Sequence, residues 1–252
     1  YTIEEPGDWL SLNALDVEQG ALGRELRSLS SLLAMVKGEA PVLVTVFSPL
    51  TTAEKLAGAK LKAHMKSDPD KVKCALAVIA DSTIRYAKRA LALGCAGVFF
   101  ASQMSSYDHA TLTEYQEFGV AYDLQVLQAI QEASWFNVMH IHGNNVMYDL
   151  LKDYPVQGIS WHVWETDPTV EAFLTANTGK CIVGGLQRFN ITNNLRAELK
   201  QEIENMVELT NGKKLFIAPG CVIRAPFDWE TLLFVKETVA SASSKNAKCA
   251  RV

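Results

Sequence analysis

Six short, mostly apolar runs alternate with helix-like stretches along this chain, and this alternation limits the folds open to it. Strands that alternate with helices form parallel βαβ units. The first two runs lack polar alternation, so we expect strands that are covered on both faces. The runs are residues 42–47, 96–101, 138–142, 156–161, 180–185 and 214–218. The pattern predicts a parallel α/β sheet, either open and doubly wound or closed into a (β/α)8 barrel.

The stretches between the runs are predicted to be helical. Leucines recur at roughly helical spacing over residues 7–37, which predicts one long helix there. Residues 51–66 are predicted to form a second helix. Asp68, Pro69 and Asp70 begin a third, because proline at the first helical position and nearby acidic residues favour a helix start.

The composition narrows the class of protein. At 252 residues and 48% hydrophobic content, the chain can bury the core of one α/β barrel, so we expect a single domain over residues 1–252. A formal net charge of −4 gives no support for nucleic-acid binding. No apolar run approaches the roughly 20 residues that span a bilayer. Five scattered cysteines favour a reducing cytoplasm over a disulfide framework.

Two of the five histidines, His140 and His142, lie two positions apart at the end of the third run. Side chains two apart on a strand point to the same face, so the two imidazoles share a face. Both candidate folds place ligands at the carboxyl ends of strands. The pair therefore predicts half of a metal site. For an arbitrary pair of this kind, two hydrogen-bonded polar residues are the simpler interpretation.

Six segments together resemble the uroporphyrinogen decarboxylase superfamily, which also contains the zinc-dependent methylcobalamin:thiol methyltransferases. Ser-Pro-Leu-Thr-Thr-Ala after the first run, His-Ile-His-Gly-Asn after the third and Pro-Gly-Cys after the sixth are similar to motifs of that superfamily. The segments are residues 48–53 with Gly58, 94–99, 140–144, 158–161, 184–186 and 219–221. Each motif is short, but all six occur in the order and at the spacing of the family.

The resemblance implies a (β/α)8 TIM barrel of the uroporphyrinogen decarboxylase type, with its site at the carboxyl-terminal mouth. In the methyltransferase branch, an H-x-C pair and a late cysteine bind zinc. The resemblance therefore implies that His140, His142 and Cys221 bind zinc here, with His142 in place of the cysteine. Three protein ligands leave a fourth position for a thiol, which the metal would make nucleophilic. Cobalamin or a corrinoid protein would be the co-substrate or partner.

The chain departs from the family at its N terminus, where members carry the first barrel strand. We count six strands where the closed barrel has eight, so we expect a barrel without its N-terminal one or two strands, through truncation or in a naturally short homologue. The decarboxylase branch also carries there an arginine-rich substrate motif and an essential aspartate, which this chain lacks. Lys55 and Cys221 stand in place of that branch's tyrosine and late histidine.

Other polar residues follow the predicted strands and are candidates for the site. We expect the substrate to contact Ser102, Gln103, Trp161, Arg188 and Arg224. Glu165 and Asp167 are candidate catalytic groups, and either could hydrogen-bond a ligand histidine. The simpler interpretation is that the arginines are solvated and that Asp167 with Pro168 only starts a helix.

We therefore predict a cytoplasmic enzyme of the uroporphyrinogen decarboxylase family that acts on a small molecule, with a homodimer as one expected assembly. It is expected to be a metal-dependent, methyltransferase-like member that activates a thiol or another small nucleophile at a His/His/Cys zinc site. One alternative is a cofactor-independent uroporphyrinogen decarboxylase of porphyrin biosynthesis. Another is a catalytically inactive barrel that acts as a binding subunit.

Overall fold

The computed structural model describes residues 2–249, and the side chains of residues 2–242. The strands are β1 (Leu43–Phe47), β2 (Gly97–Ser102), β3 (Val138–Ile141), β4 (Gly158–Ser160), β5 (Cys181–Leu186) and β6 (Leu215–Pro219). The helices are α1 (Gly20–Val36), α2 (Pro49–Ala57), α3 (Lys60–Ser67), α4 (Pro69–Leu93), α5 (Leu112–Tyr115), α6 (Ala121–Ile130), α7 (Tyr148–Leu151), α8 (Val170–Thr175), α9 (Arg188–Thr192), α10 (Arg196–Thr210) and α11 (Trp229–Cys249). Residues Pro6–Ser11 form a 3-10 helix and Gln116–Val120 a π-helix.

The strands follow one another in a six-stranded sheet, in the order β1-β2-β3-β4-β5-β6. β1 pairs in parallel with β2, from Leu43 opposite Gly97 to Phe47 opposite Ala101. β5 pairs in parallel with both β4 and β6. Helices separate the strands along the chain, so the predicted parallel α/β alternation is confirmed. None of the helices in the described residues is long and apolar enough to cross a membrane.

Contacts divide the chain into two compact units, residues 1–140 with 154–156 and residues 141–153 with 157–252. The expectation of a single domain stays a prediction. Unit 1 is built around α4, which starts at Pro69 and ends at Gly94 in the left-handed region. Leu76 is fully buried on this helix and Ile79 nearly so. Burying such a side chain stabilises the fold by about 1.5–3 kcal/mol.

Unit 2 has its own apolar core between β5, β6 and the helices that follow them. Leu186 at the end of β5 is buried with three side chains of the next two helices, Ile191, Leu199 and Ile203. Partly buried side chains of α11 pack on this cluster. The core fixes the carboxyl ends of β5 and β6, and the loop after β6 carries Cys221.

The prediction of one helix over residues 7–37 is wrong. The chain leaves the 3-10 helix at Leu12, which is extended, and α1 begins only after Gln19, which is also extended. Leu10 and Leu15, which contributed to the helical pattern, are 60% and 55% exposed. Side chains that stay exposed gain little from joining a helix, because most helical stability in proteins comes from the packing of an apolar face.

Two further expectations are corrected. The helix expected over 51–66 is two helices, because Gly58 ends α2 with φ of 58° and ψ of −141°, outside the helical region. β1 is not covered on both faces, since Thr45 and Phe47 are exposed. It lies at the edge of the described sheet, whereas β2, the other strand expected to be covered on both faces, is buried at every residue except the half-buried Phe99.

Candidate metal centre

Three side chains of metal-ligand type come together in unit 2, each from a residue that follows a strand. His142 follows β3, His162 follows β4 by two residues and Cys221 follows β6 by two residues. Parallel strands end at the same edge of a sheet, which brings the loops after β4 and β6 to one edge. Each residue offers one ligand atom, and these atoms lie within 4.8 Å of one another.

The spacing of these atoms fits a metal. Cys221 Sγ lies 3.4 Å from His142 Nδ1. Two ligands of one tetrahedral zinc, at about 2.0 Å for nitrogen and 2.3 Å for sulfur, would be about 3.5 Å apart. The rings of His142 and His162 meet edge to face with centroids 5.1 Å apart. Imidazole nitrogen and thiolate sulfur are the donors that zinc prefers. The residues therefore fit zinc.

The loop after β6 is held close to the end of β4 by Gly220. Its backbone N–H donates a hydrogen bond to Leu186 O at 2.8 Å. A Cβ on Gly220 would lie 3.2 Å from His162 Cα and 3.2 Å from Trp161 O, tighter than most real contacts. The missing side chain thus lets the loop approach β4 and places Cys221 beside His162.

His140, the remaining predicted ligand, is the last residue of unit 1 and is buried. Its ring stacks on that of Phe99 with centroids 5.2 Å apart. Its role as a metal ligand stays a prediction.

His162 was not predicted as a ligand. It is 4% exposed and its Nδ1 lies 3.5 Å from Glu165 Oε2. Burial lowers the pKa of His162, and the charge of Arg188 lowers it further, while Glu165 opposes both. A neutral imidazole is the form that binds metals. Its position directly after a buried strand was a signal that could have suggested it.

The two substrate candidates of unit 1 have partners of their own. Ser102 is fully buried and its hydroxyl is 2.9 Å from that of Tyr115. Gln103 accepts a hydrogen bond from Lys55 Nζ at 2.8 Å, and its backbone N–H donates to Thr51 Oγ1. Contact with a substrate stays a prediction for both.

The substrate candidates of unit 2 differ in their surroundings. Trp161 is fully buried, stacks on Phe173 and donates its indole N–H to Pro168 O at 3.0 Å, so its side chain is part of the core. Arg224 is exposed. Arg188 begins α9, stacks over the Phe189 ring and keeps its Nε buried. Contact with a substrate stays a prediction for all three.

The two catalytic candidates also differ. Both residues are exposed, but Glu165 lies beside His162, whereas Asp167 is the residue before Pro168. Catalysis by either group stays a prediction.

The comparison that decides the family is a match of residues 1–242 to the uroporphyrinogen decarboxylase model. This chain belongs to the uroporphyrinogen decarboxylase family. The match covers nearly the whole chain, and with the alternating parallel strands it confirms an α/β fold of that family's barrel type, with six strands in the residues described here.

Curated relatives of this family member are methyltransferases by name. The methylcobamide:CoM methyltransferase MtbA of Methanosarcina mazei is 22% identical over 144 residues, which are 57% of this chain and 42% of that protein. Its namesake in Methanosarcina acetivorans is 20% identical over 161 residues, 64% of this chain and 48% of that protein. The chain thus spans less than half the length of these relatives.

Solved structures support the fold. A methyltransferase from Methanosarcina mazei superposes with a TM-score of 0.74 at 19% identity, covering 91% of this chain and 66% of that one. A B12-independent methionine synthase from Shewanella sp. W3-18-1 gives a TM-score of 0.57 at 12% identity, covering 89% and 67%. At such identities the likeness shows the fold alone.

Proposed function

We propose that this uroporphyrinogen decarboxylase family member is a zinc-dependent methyltransferase that transfers a methyl group from a corrinoid to a small thiol. The observation that carries the proposal is the grouping of His142, His162 and Cys221, with Cys221 Sγ 3.4 Å from His142 Nδ1. The curated relatives, named for methylcobamide and CoM, support this chemistry.

The ligand set suits the activation of a thiol. A zinc ion would supply positive charge that lowers the pKa of a bound thiol, so that the sulfur becomes a thiolate near neutral pH. Three protein ligands leave a fourth position open for that sulfur. The resemblance assigns His140 to the set and the structure adds His162, so variants of both residues are needed to show which imidazole completes it.

The surroundings of the proposed ligands would favour metal binding. Burial lowers the pKa of His162 and so favours its neutral imidazole, and Gly220 lets the Cys221 loop approach β4. Cys221 and His142 are only partly buried, so a small thiol and a methyl donor could reach them. The proposed acceptor is therefore a compact thiol rather than a folded protein.

Metal analysis tests this proposal first. Purified protein incubated with zinc and then desalted should retain about one zinc per chain, and Cys221→Ala or His142→Ala should reduce this strongly. Cys181→Ala is the matched control, because Cys181 is also a half-buried free cysteine but lies at the start of β5. Wild-type protein that stays metal-free after reconstitution would end the proposal.

A transfer assay tests the reaction. Zinc-loaded protein with methylcobalamin and coenzyme M should consume the methyl donor, which is followed by its visible spectrum, and form the methyl thioether. Cys221→Ala should lose nearly all of this activity and Cys181→Ala should keep it. Zinc binding without turnover would contradict the methyltransferase.

A further inference from the structure

We infer that Glu165 is a positioning residue for the metal centre, because it holds the His162 ring so that Nε2 is presented as a ligand atom. This inference rests on the proposed zinc site and deepens it. It adds to that site His162, a ligand that the H-x-H…C motif does not contain, and a carboxylate that orients it.

Glu165 and His162 form a close pair in the loop after β4. Glu165 lies three residues after His162, and its backbone N–H donates to His162 O at 2.8 Å. This tight turn brings the carboxylate back to the ring, with Oε2 3.5 Å from Nδ1. The pairing therefore follows from the local fold of the loop after β4.

The pairing with Glu165 determines which tautomer the His162 imidazole adopts. An ionised carboxylate can only accept a hydrogen bond, so the ring atom that faces Glu165 must carry the proton. With the proton on Nδ1, the lone pair of a neutral imidazole is on Nε2. That atom is buried, as expected for a ligand atom that points away from solvent. Glu165 would thus select the tautomer in which Nε2 can bind metal.

Neighbouring residues hold in place the turn that carries His162 and Glu165. Trp164, which lies between the two residues, donates its indole N–H to Gly185 O at 2.7 Å. This bond ties the turn to the end of β5. The ring of His162 is also fixed by the edge-to-face contact with His142. A ligand held in place loses less conformational entropy on binding a metal.

Glu165 also adds negative charge beside the proposed ligands. The proposed ligands His142, His162 and Cys221 comprise two imidazoles and one thiolate, so they offset only part of the charge of a zinc ion. The Glu165 carboxylate supplies a negative charge next to a ligand imidazole, which raises the basicity of that imidazole. Asp167, the other candidate in this loop, lies two residues further along the chain, directly before Pro168.

Removal of such an orienting partner typically weakens metal affinity about 10–100-fold. We expect this loss in zinc affinity for Glu165→Ala, measured by competition with a chromophoric chelator. Glu165→Gln should recover much of the affinity, because its amide oxygen still accepts a hydrogen bond from Nδ1–H. Glu171→Ala is the matched control, an exposed glutamate in the next helix, and should bind zinc like wild type.

A readout without metal separates the inference from the proposed function. In the metal-free protein, the ¹⁵N shifts of His162 should show the Nδ1–H tautomer, and Glu165→Ala should shift the population toward Nε2–H. Wild-type protein that binds no zinc would end the proposed function, while the tautomer would still test the pairing.

Two results would overturn the inference while the zinc site stands. The first is His162→Ala that binds zinc as tightly as wild type. The second is Glu165→Ala that keeps both the zinc affinity and the His162 tautomer of wild type.

Discussion

Arg188 carries a buried polar atom that the described part of the chain leaves without a hydrogen-bond acceptor, its Nε. The nearby carboxylate of Glu202 accepts instead from Gln187 N at 3.2 Å and Asn190 Nδ2 at 2.7 Å. A buried donor without an acceptor costs about 1–3 kcal/mol, and more when it is charged. An anionic group on a substrate would remove that cost.

We therefore predict that Arg188→Gln weakens the binding of coenzyme M, which carries a sulfonate, about tenfold or more. Binding of the neutral thiol 2-mercaptoethanol should not change, and calorimetry with zinc-loaded protein measures both. Arg196→Gln is the control, since that guanidinium already lies 4.0 Å from Asp228 and stacks on Phe234. Equal weakening of both thiols by Arg188→Gln would contradict an anion-binding role.

Asp123 gives a second prediction for a single residue. It is fully buried, and burial raises its pKa to about 7, although hydrogen bonds from Tyr115 and Tyr154 oppose the shift. In the unfolded chain the pKa is about 3.9, so the folded state holds the proton more tightly. This contribution to stability is complete below pH 4 and is lost as the pH rises toward 7.

Asp123→Asn should therefore gain stability relative to wild type as the pH rises from 5 to 8, by an amount on the order of 2 kcal/mol. Urea unfolding at both pH values measures the difference. Asp149→Asn, at an aspartate whose side chain is 90% exposed, should leave the pH dependence unchanged. If Asp123→Asn and wild type keep the same difference at both pH values, the raised pKa is wrong.

The candidate ligands show how far single residues can be predicted from the sequence. The family motifs predicted His142 and Cys221, which are 79 positions apart in the sequence. In the structure, Cys221 Sγ lies 3.4 Å from His142 Nδ1. His162 was recognised only as part of a polar loop after β4. Its closeness to Cys221 depends on how two loops pack across Gly220, and no spacing within the sequence contains that information.

At the scale of elements, the π-helix between α5 and α6 depends on Gly119. A Cβ there would lie 2.8 Å from Cζ of the Tyr115 ring, too close for any real contact. The Tyr115 hydroxyl donates to Asp123 Oδ2 at 2.6 Å, so the ring cannot move without breaking a buried hydrogen bond. The glycine thus lets the helix pass close to a fixed ring.

We predict that Gly119→Ala destabilises the protein by about 1–3 kcal/mol, the usual cost of overpacking, although alanine favours helices. Urea unfolding measures this. Gly7→Ala is the control, because a Cβ at Gly7 would meet nothing within 4 Å. A neutral or stabilising effect of Gly119→Ala would show that Tyr115 can move.

The elements also show why periodicity predicts some helices and not others. α4 formed as expected because its apolar positions, such as Leu76, are buried. The same periodicity failed before Gly20, where Leu10 and Leu15 are largely exposed. Strand burial was largely right for β2 and wrong for β1, because an apolar run does not show which faces of its strand are covered by other elements.

At the scale of the whole molecule, the order of strands and helices was predictable because each βαβ unit is local in the sequence. The division into two compact units was not, since it depends on contacts between distant residues. The candidate ligands seen to cluster, His142, His162 and Cys221, all belong to the second unit. A metal that binds there would stabilise the folded chain, because a ligand that binds only the folded state raises the free energy of unfolding.

We predict that zinc at 100 times its dissociation constant raises the free energy of unfolding by about 2.7 kcal/mol, because only the folded chain brings the ligands together. For a domain of this size, that corresponds to a rise in Tm of roughly 5–10 °C. Calorimetry before and after chelation measures the change. Cys221→Ala should show no such rise while Cys181→Ala shows it in full, so a rise that persists in Cys221→Ala would place the stabilising zinc elsewhere on the chain.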